Sequence, residues 1–309
     1  MRRETDPVSP SLGQVGDFLL FLFHEKKLSV SAIKGYRSAL ASSLTFSRSK
    51  AHAVGRDPKL SAMIAFFARE RPIARTVVPK WNLTCVLWSL TKPPYEPFMQ
   101  ASLLDCSIKT AFLLAFASAK RSSELHAFSG EPGSMLLSKD SVTFYFVPGF
   151  YPKTQVVFQM PDPVVVPALP VPARDSIVNK TLCPVRAVKL YLKRTRGIRG
   201  SRSRFFIPVK GEQELTRPTV ARWIKSAISS AYSALTAVSV KNFDIKAHEV
   251  RAVSTSWAFH NKVPLASVMQ AAAWRSHGTF SKFYLRSMTA QSGDLMKLGP
   301  LAAAGKIIS

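Results

Sequence analysis

Acidic residues are scarce in this chain of 309. Asp and Glu number 18 against 43 Lys and Arg, giving a formal charge of +25 and a pI near 10.4. Nowhere do the few carboxylates gather in sequence into a set able to hold a metal ion. A surplus of this size repels itself in the compact state and points to a polyanionic partner. An anionic membrane surface is the competing explanation, but no long helix with one basic face stands out, so nucleic acid is the expected partner. Cysteine is rare too. Cys85, Cys106 and Cys183 are scattered, odd in number and without a CxxC pair, which suits neither zinc nor a disulfide framework and suggests a reducing compartment. Long apolar runs are missing: Phe18 to Phe23 and Ala111 to Ala119 are too short to span a bilayer. The charged opening MRRETDP leads into no h-region with a cleavage site, so no signal peptide is expected. Repeats of solenoid period are absent as well. What is present is 47% hydrophobic residues, which excludes a largely disordered chain, and length enough for one large domain or two smaller ones. A soluble intracellular protein is expected, with the nucleus favoured.

The chain divides into a leader (residues 1–12), a helical domain (13–70), a linker (71–79) and a larger domain (80–309). Val15 to Leu28 is apolar enough for a buried helix. Ser29 or Ser31 could cap the next, with Ile33, Tyr36, Leu40 and Leu44 on one face. KLSAMIAFFARE, residues 59–70, gives a third helical pattern, and basic residues including Lys34 and Arg37 occupy the polar faces. In the larger domain, Leu103 to Lys120 reads as a helix apolar all round, hence interior, ending beside Arg121. SVTFYF and QVVFQM, within residues 141–160, read as two strands of a hairpin with a longer loop, Lys153 standing at the start of the returning strand. Helices follow at 184–195, with Pro184 at the first position, and at 218–235. Between them Arg194, Arg196, Arg199, Arg202 and Arg204 form a basic run without an acid. The fold class expected is mainly α with a small β-hairpin or sheet, in two domains.

Several residues suit phosphate chemistry. Arg121 and Glu124 are three apart, as are His248 and Arg251, so each pair shares a helical face. Trp274, His277 and Tyr284 follow. Each has an ordinary reading: a surface salt bridge for Arg121 and Glu124, core aromatics for Trp274 and Tyr284, a helix-end histidine for His277, a solubilising lysine for Lys153. The ordered set is the signal.

That set, Arg121, Lys153, His248, Arg251, Trp274 or His277, and Tyr284, resembles the tyrosine recombinase (phage integrase) family. The wording is closest to the recombinases of DIRS-like and Ngaro-like retroelements: SAKRSSEL, FYPKTQ, TLCPVRAVKLYLKRT, and HEVRAVSTSW through AAAWRSHGTFSKFYLR. GYRSAL in the first domain fits the family's helical DNA-binding domain. The resemblance, which runs from about residue 12 onward, implies a two-domain DNA clamp whose first domain is a SAM-like core-binding domain. It also implies double-stranded DNA as substrate, and strand cleavage and rejoining through a 3′-phosphotyrosyl link without metal or other cofactor. Arg121 and Arg251 would neutralise the scissile phosphate. Tyr284 would attack phosphorus, His248 would accept or return its proton, and Lys153 would protonate the 5′-oxygen leaving group. Glu124 would support the site. Lys34, Arg37 and the arginines from Arg194 to Arg204 would hold the DNA backbone.

Two departures stand out. The family places its second His or Trp nine residues before the tyrosine, where this chain has Arg275. Trp274 lies one residue earlier and is favoured over His277. The glycine common two residues before the first arginine is Ala119. A mobile-element integrase is the expected function. A catalytically silent, domesticated DNA-binding protein on the same fold is the alternative, and a solitary topoisomerase shares the mechanism. The apolar tail DLMKLGPLAAAGKIIS is expected to dock on a neighbouring protomer, giving a homo-oligomer, a tetramer, on DNA.

Overall fold

A computed structural model describes residues 10–47, 54–72, 78–79, 81–153, 160–169, 176–233 and 246–288. By contacts the chain separates into two units, residues 1–75 and 76–309. The C-terminal tail expected to dock on a partner lies outside the described residues, as do Leu44's side chain and most of QVVFQM.

The first unit packs three helices: α1 (Leu12–His24), α2 (Val30–Ser47) and α3 (Pro58–Glu70). Each begins at a side-chain cap that satisfies a free backbone N–H. Ser11 forms a capping box with Gln14, Ser29 accepts from Ala32 N–H, and Asp57 accepts from Leu60 N–H ahead of Pro58. Leu19, Leu22, Phe23, Ile33, Leu60, Ile64 and Phe67 fill the space between them, with Phe23 stacked on Phe67 at 4.2 Å. Tyr36, expected on the buried face of α2, stays 47% exposed and meets only the edge of Phe18. Arg71 closes the unit. Its guanidinium lies 3.8 Å over the Phe23 ring and donates to the Phe23 carbonyl at 2.8 Å.

The second unit is built around α5 (Leu103–Ser118), preceded by the short α4 (Leu83–Ser89). Almost every residue of α5 from Cys106 onward is buried, because α8 (Pro184–Thr195) and α9 (Arg217–Ser233) pack against it, as its all-round apolar sequence requires. It even buries a cation: Lys109 Nζ donates to Glu96 at 2.6 Å and to the Leu90 carbonyl at 2.7 Å, while Arg186 donates to the same carboxylate. Burial lowers the Lys109 pKa to about 8. For Glu96, burial is outweighed by the hydrogen bonds from Arg186 and Lys109, which hold it below the usual range.

After α5 come α6 (Ser122–His126) and an antiparallel sheet of β1 (Met135–Leu137), β2 (Ser141–Phe144) and β3 (Val164–Pro167), with β2 central. Val142 pairs with Val166 and Phe144 with Val164. These four side chains face the core, where Phe144 stacks on Phe128 at 4.4 Å. This corrects the hairpin expected from sequence. Both edges of β2 are taken, by β1 and by Val164–Pro167, so the strand that returns against it is β3 and not QVVFQM; Lys153 lies in a turn, and residues 154–159 fall outside those described. Proline on both sides, at Pro163 and Pro167, limits β3 without breaking its ladder. The unit ends with α7 (Ser176–Leu182), then α8 and α9, and after them α10 (Glu249–His260), α11 (Leu265–Ala271), the single turn α12 (His277–Thr279) and a π-helical turn, Phe280–Tyr284. No helix among the described residues is long and apolar enough to cross a membrane.

Candidate active site

Three chain reversals bring the site together. At the first, α5 stops because Ala119 takes the left-handed conformation (φ 52°), and the chain turns directly into α6 with Arg121 at its N-cap. Glu124, one turn on, accepts from Arg121 N–H at 2.8 Å, satisfying an otherwise free donor at the helix start. Left-handed backbone costs an alanine about 1–2 kcal/mol, which explains why glycine suits this neighbourhood.

The second reversal ends α11. Ala273 N–H donates to Gln270 and Trp274 N–H to Met269, with Ala273 left-handed at φ 48°, the double closure of a Schellman turn. The turn folds Trp274 back into a small core with Val268, Met269 and Phe280, leaving Arg275 exposed. The one-residue offset seen in the sequence has this physical origin: the residue that the turn drives inward is Trp274. His277, the other possibility, is exposed at the first position of α12.

The third is the π-helical turn, which carries Tyr284. Its ring packs on Trp274 at 4.4 Å between centroids. The Arg251 guanidinium, brought in by α10, lies 5.0 Å from the Trp274 ring and 5.5 Å from that of Tyr284. Arg251 is 2% exposed. One of its terminal nitrogens donates to the Ala272 carbonyl, while the other forms an ion pair with Glu124 at 3.5 Å, too poorly directed for a hydrogen bond. The same Glu124 oxygen lies 3.5 Å from Arg121. One carboxylate therefore serves two guanidiniums.

The electrostatics follow from that ratio. Burial, with the Arg121 charge acting the same way, lowers Arg251 to about 10, against the opposing pull of Glu124 and Tyr284. Two Arg251 donors, Nε and Nη1, and the buried Trp274 indole N–H have no hydrogen-bond acceptor among the described residues. Lys120, half-buried next to Arg121, adds a further cation. Burial pushes its ammonium down, with Arg251 and Arg121 in the same direction and Glu124 and Asp162 opposing. Sequence reasoning passed over Lys120; its place beside Arg121 was the available signal.

Arg121, Glu124, Arg251, Trp274 and Tyr284 are thus brought together. His248 lies exposed at the N-cap of α10, one turn before Arg251. Lys153 is exposed and has no hydrogen bond or ion pair with any described residue. The basic run is mostly turned to scaffolding. Arg194 donates to the carbonyls of Met99 and Ala101, and Arg199 to those of Arg204 and Phe205. Arg202 donates to Ile198, and Arg204 donates to His126 and pairs with Glu214. Gly130 lets this run approach: an added Cβ would sit 2.9 Å from the Arg204 carbonyl. Arg196 and Lys34 are exposed, and Arg37 donates to Ser61.

No protein-family model and no curated protein sequence matches the chain. Among solved structures it is similar to the XerH site-specific recombinase bound to a palindromic difH substrate in a post-cleavage complex. The TM-score is 0.57 at 14% identity, over 91% of this chain and 67% of that one. A lambda integrase dimer bound to a COC′ core site gives 0.47 at 14% identity, over 93% and 83%. XerA recombinase gives 0.45 at 12%, over 93% and 82%. The mainly helical second unit, its three-stranded antiparallel sheet and the helical first unit make this the fold of the site-specific recombinase XerH, a tyrosine recombinase fold.

Proposed function

We propose that the chain breaks and rejoins DNA strands as a tyrosine recombinase, with Tyr284 as nucleophile. The observation that carries this is Arg251: a guanidinium buried beside the Tyr284 ring which, among the described residues, shares its one carboxylate with Arg121 and has two donors without acceptors. Burying a cation costs several kcal/mol unless it is paired and hydrogen-bonded, so a site built this way calls for an anion. A phosphodiester supplies one, and its non-bridging oxygens match the planar forks of Arg121 and Arg251 and the indole N–H of Trp274.

In this reading Tyr284 Oη bonds to phosphorus as the bond from phosphorus to the 5′-oxygen breaks. His248 takes the phenolic proton and Lys153 gives one to the departing 5′-oxygen. The reverse steps reseal the strand. Glu124 holds both arginines in register. Lys34 and Arg196, both exposed, are the proposed backbone-phosphate contacts, with Arg37 one helical turn on from Lys34. The retroelement setting, a nuclear location and tetramer assembly through the tail are proposals that rest on the sequence resemblance.

The test uses supercoiled plasmid and a denaturing gel. Wild-type protein forms a covalent adduct with DNA; Tyr284→Phe forms none and binds duplex within about twofold of wild type. DNA binding by wild type with no adduct would instead support the silent DNA-binding protein, a reading favoured by Lys153, which is exposed and makes no hydrogen bond or ion pair with any described residue of the cluster.

A further inference from the structure

The segment that carries Tyr284 is bound to α10 by more than ring packing. Ser256, fully buried on α10, donates through Oγ to the Tyr284 carbonyl at 3.0 Å and accepts from Arg286 N–H at 2.8 Å. One turn along, His260 reaches the Arg286 carbonyl through Nε2 at 3.0 Å. Four residues apart, Ser256 and His260 share a face of the helix, so one helix edge holds three main-chain groups at Tyr284 and Arg286. The same helix carries Arg251, whose guanidinium lies against the Tyr284 ring.

We infer that Ser256 is a positioning residue: its hydroxyl, bonded on both sides to the 284–286 backbone, fixes the phenol of Tyr284 in register with Arg251. The inference rests on the strand-breaking reading above. The π-helical turn explains why a tether is needed. Its backbone closes through Leu285 N–H to Phe280, a five-residue ring, and then leaves the helix with Leu285 extended. Residues 285–288 are not helical, so no helical turn follows Tyr284 directly to hold it. Ser256 supplies the hold instead. An in-line attack tolerates little error, and a misplacement of about 1 Å costs on the order of a hundredfold in rate. A hydroxyl that both donates and accepts also restricts the residue type, because alanine removes the Ser256 bonds to two half-buried main-chain groups.

The experiment uses the full chain with supercoiled plasmid as probe and combines two readouts. Amide exchange of the peptide spanning 284–288, read by mass spectrometry without DNA, reports the tether. The rate of covalent adduct formation at saturating plasmid reports the chemistry. Ser256→Ala is expected to speed exchange in that peptide roughly tenfold and to slow adduct formation at least about tenfold, with plasmid affinity unchanged. Ser256→Thr, which keeps the hydroxyl, restores both. Because His260 is exposed, His260→Ala cannot collapse the core and gives a second probe; it quickens exchange of the same peptide to a smaller extent. Wild-type adduct rates in Ser256→Ala, or unchanged exchange in both variants, would overturn the inference. So would slow adduct formation in Ser256→Thr with the peptide protected, since packing would then be the cause. Should wild type form no adduct on plasmid, the strand-breaking reading fails, while the exchange arm still decides whether Ser256 holds the segment.

Discussion

Glu124 has the most demanding position of any single side chain in the site. It closes the start of α6 through Arg121 N–H and is the only carboxylate paired with either Arg121 or Arg251 among the described residues. Removing one member of a buried charge group leaves the other without compensation, a change that costs about 3–5 kcal/mol. Glu124→Ala is therefore expected to lose at least about 3 kcal/mol of stability, measured as a lower urea midpoint with an unchanged slope. A loss below about 1 kcal/mol, the range of surface pairs, would mean that Arg251 is solvated and that the pairing is ornamental. At this scale the sequence was informative where chemistry was local. Arg121 with Glu124, and Trp274 with Tyr284, could be associated from spacing and wording alone. Ser256 could not, because a serine inside a helix gives no sign of which distant backbone it meets.

Among the elements, the two left-handed alanines decide where functional side chains arrive. Ala119 ends α5 so that Arg121 can cap α6, and Ala273 ends α11 so that Trp274 turns inward. Glycine takes this conformation without the clash that a Cβ makes with the following carbonyl. Ala119→Gly and Ala273→Gly are each expected to add about 0.5–1 kcal/mol, read as a rise of about 2 °C in melting temperature for a unit of this size. A fall in either variant would show that methyl packing outweighs backbone relief. The helices were legible because capping and apolar periodicity are written locally: α8 begins at Pro184, and α5 is apolar on every side. The sheet was less so. Its returning strand is a short run of valines bracketed by Pro163 and Pro167, a pattern too brief to mark a strand from sequence alone. Pairing is settled by the register of Val142 and Phe144 against Val166 and Val164. Within the run from Arg194 to Arg204, the acceptors of Arg194 and Arg204 are main-chain carbonyls at Met99, Ala101 and His126, distant in sequence and invisible to a charge count.

For the molecule as a whole, the excess of 25 positive charges is spread well beyond the site, so on the proposed function much of the binding to DNA is electrostatic and indifferent to sequence. Affinity for a generic duplex, followed by fluorescence anisotropy, is expected to fall about a thousandfold or more between 50 and 200 mM salt if six or more phosphates are neutralised. A nearly flat salt response would show that the charge serves another partner. Neutralising Arg196 should reduce the slope by about one unit, whereas neutralising Arg199, which is tied to the carbonyls of Arg204 and Phe205, should act through folding.

The carboxylate shared by two arginines has a consequence for the life of the folded chain. With more cation than anion at its centre, the site works against the fold that surrounds it, and an anion bound there stabilises the folded state by its own binding free energy. On the proposed function, DNA would then act as a folding ligand. A molecule held on DNA would withstand heat, proteases and damaging substitutions that unfold it when free, and its working lifetime would be set by where it is bound.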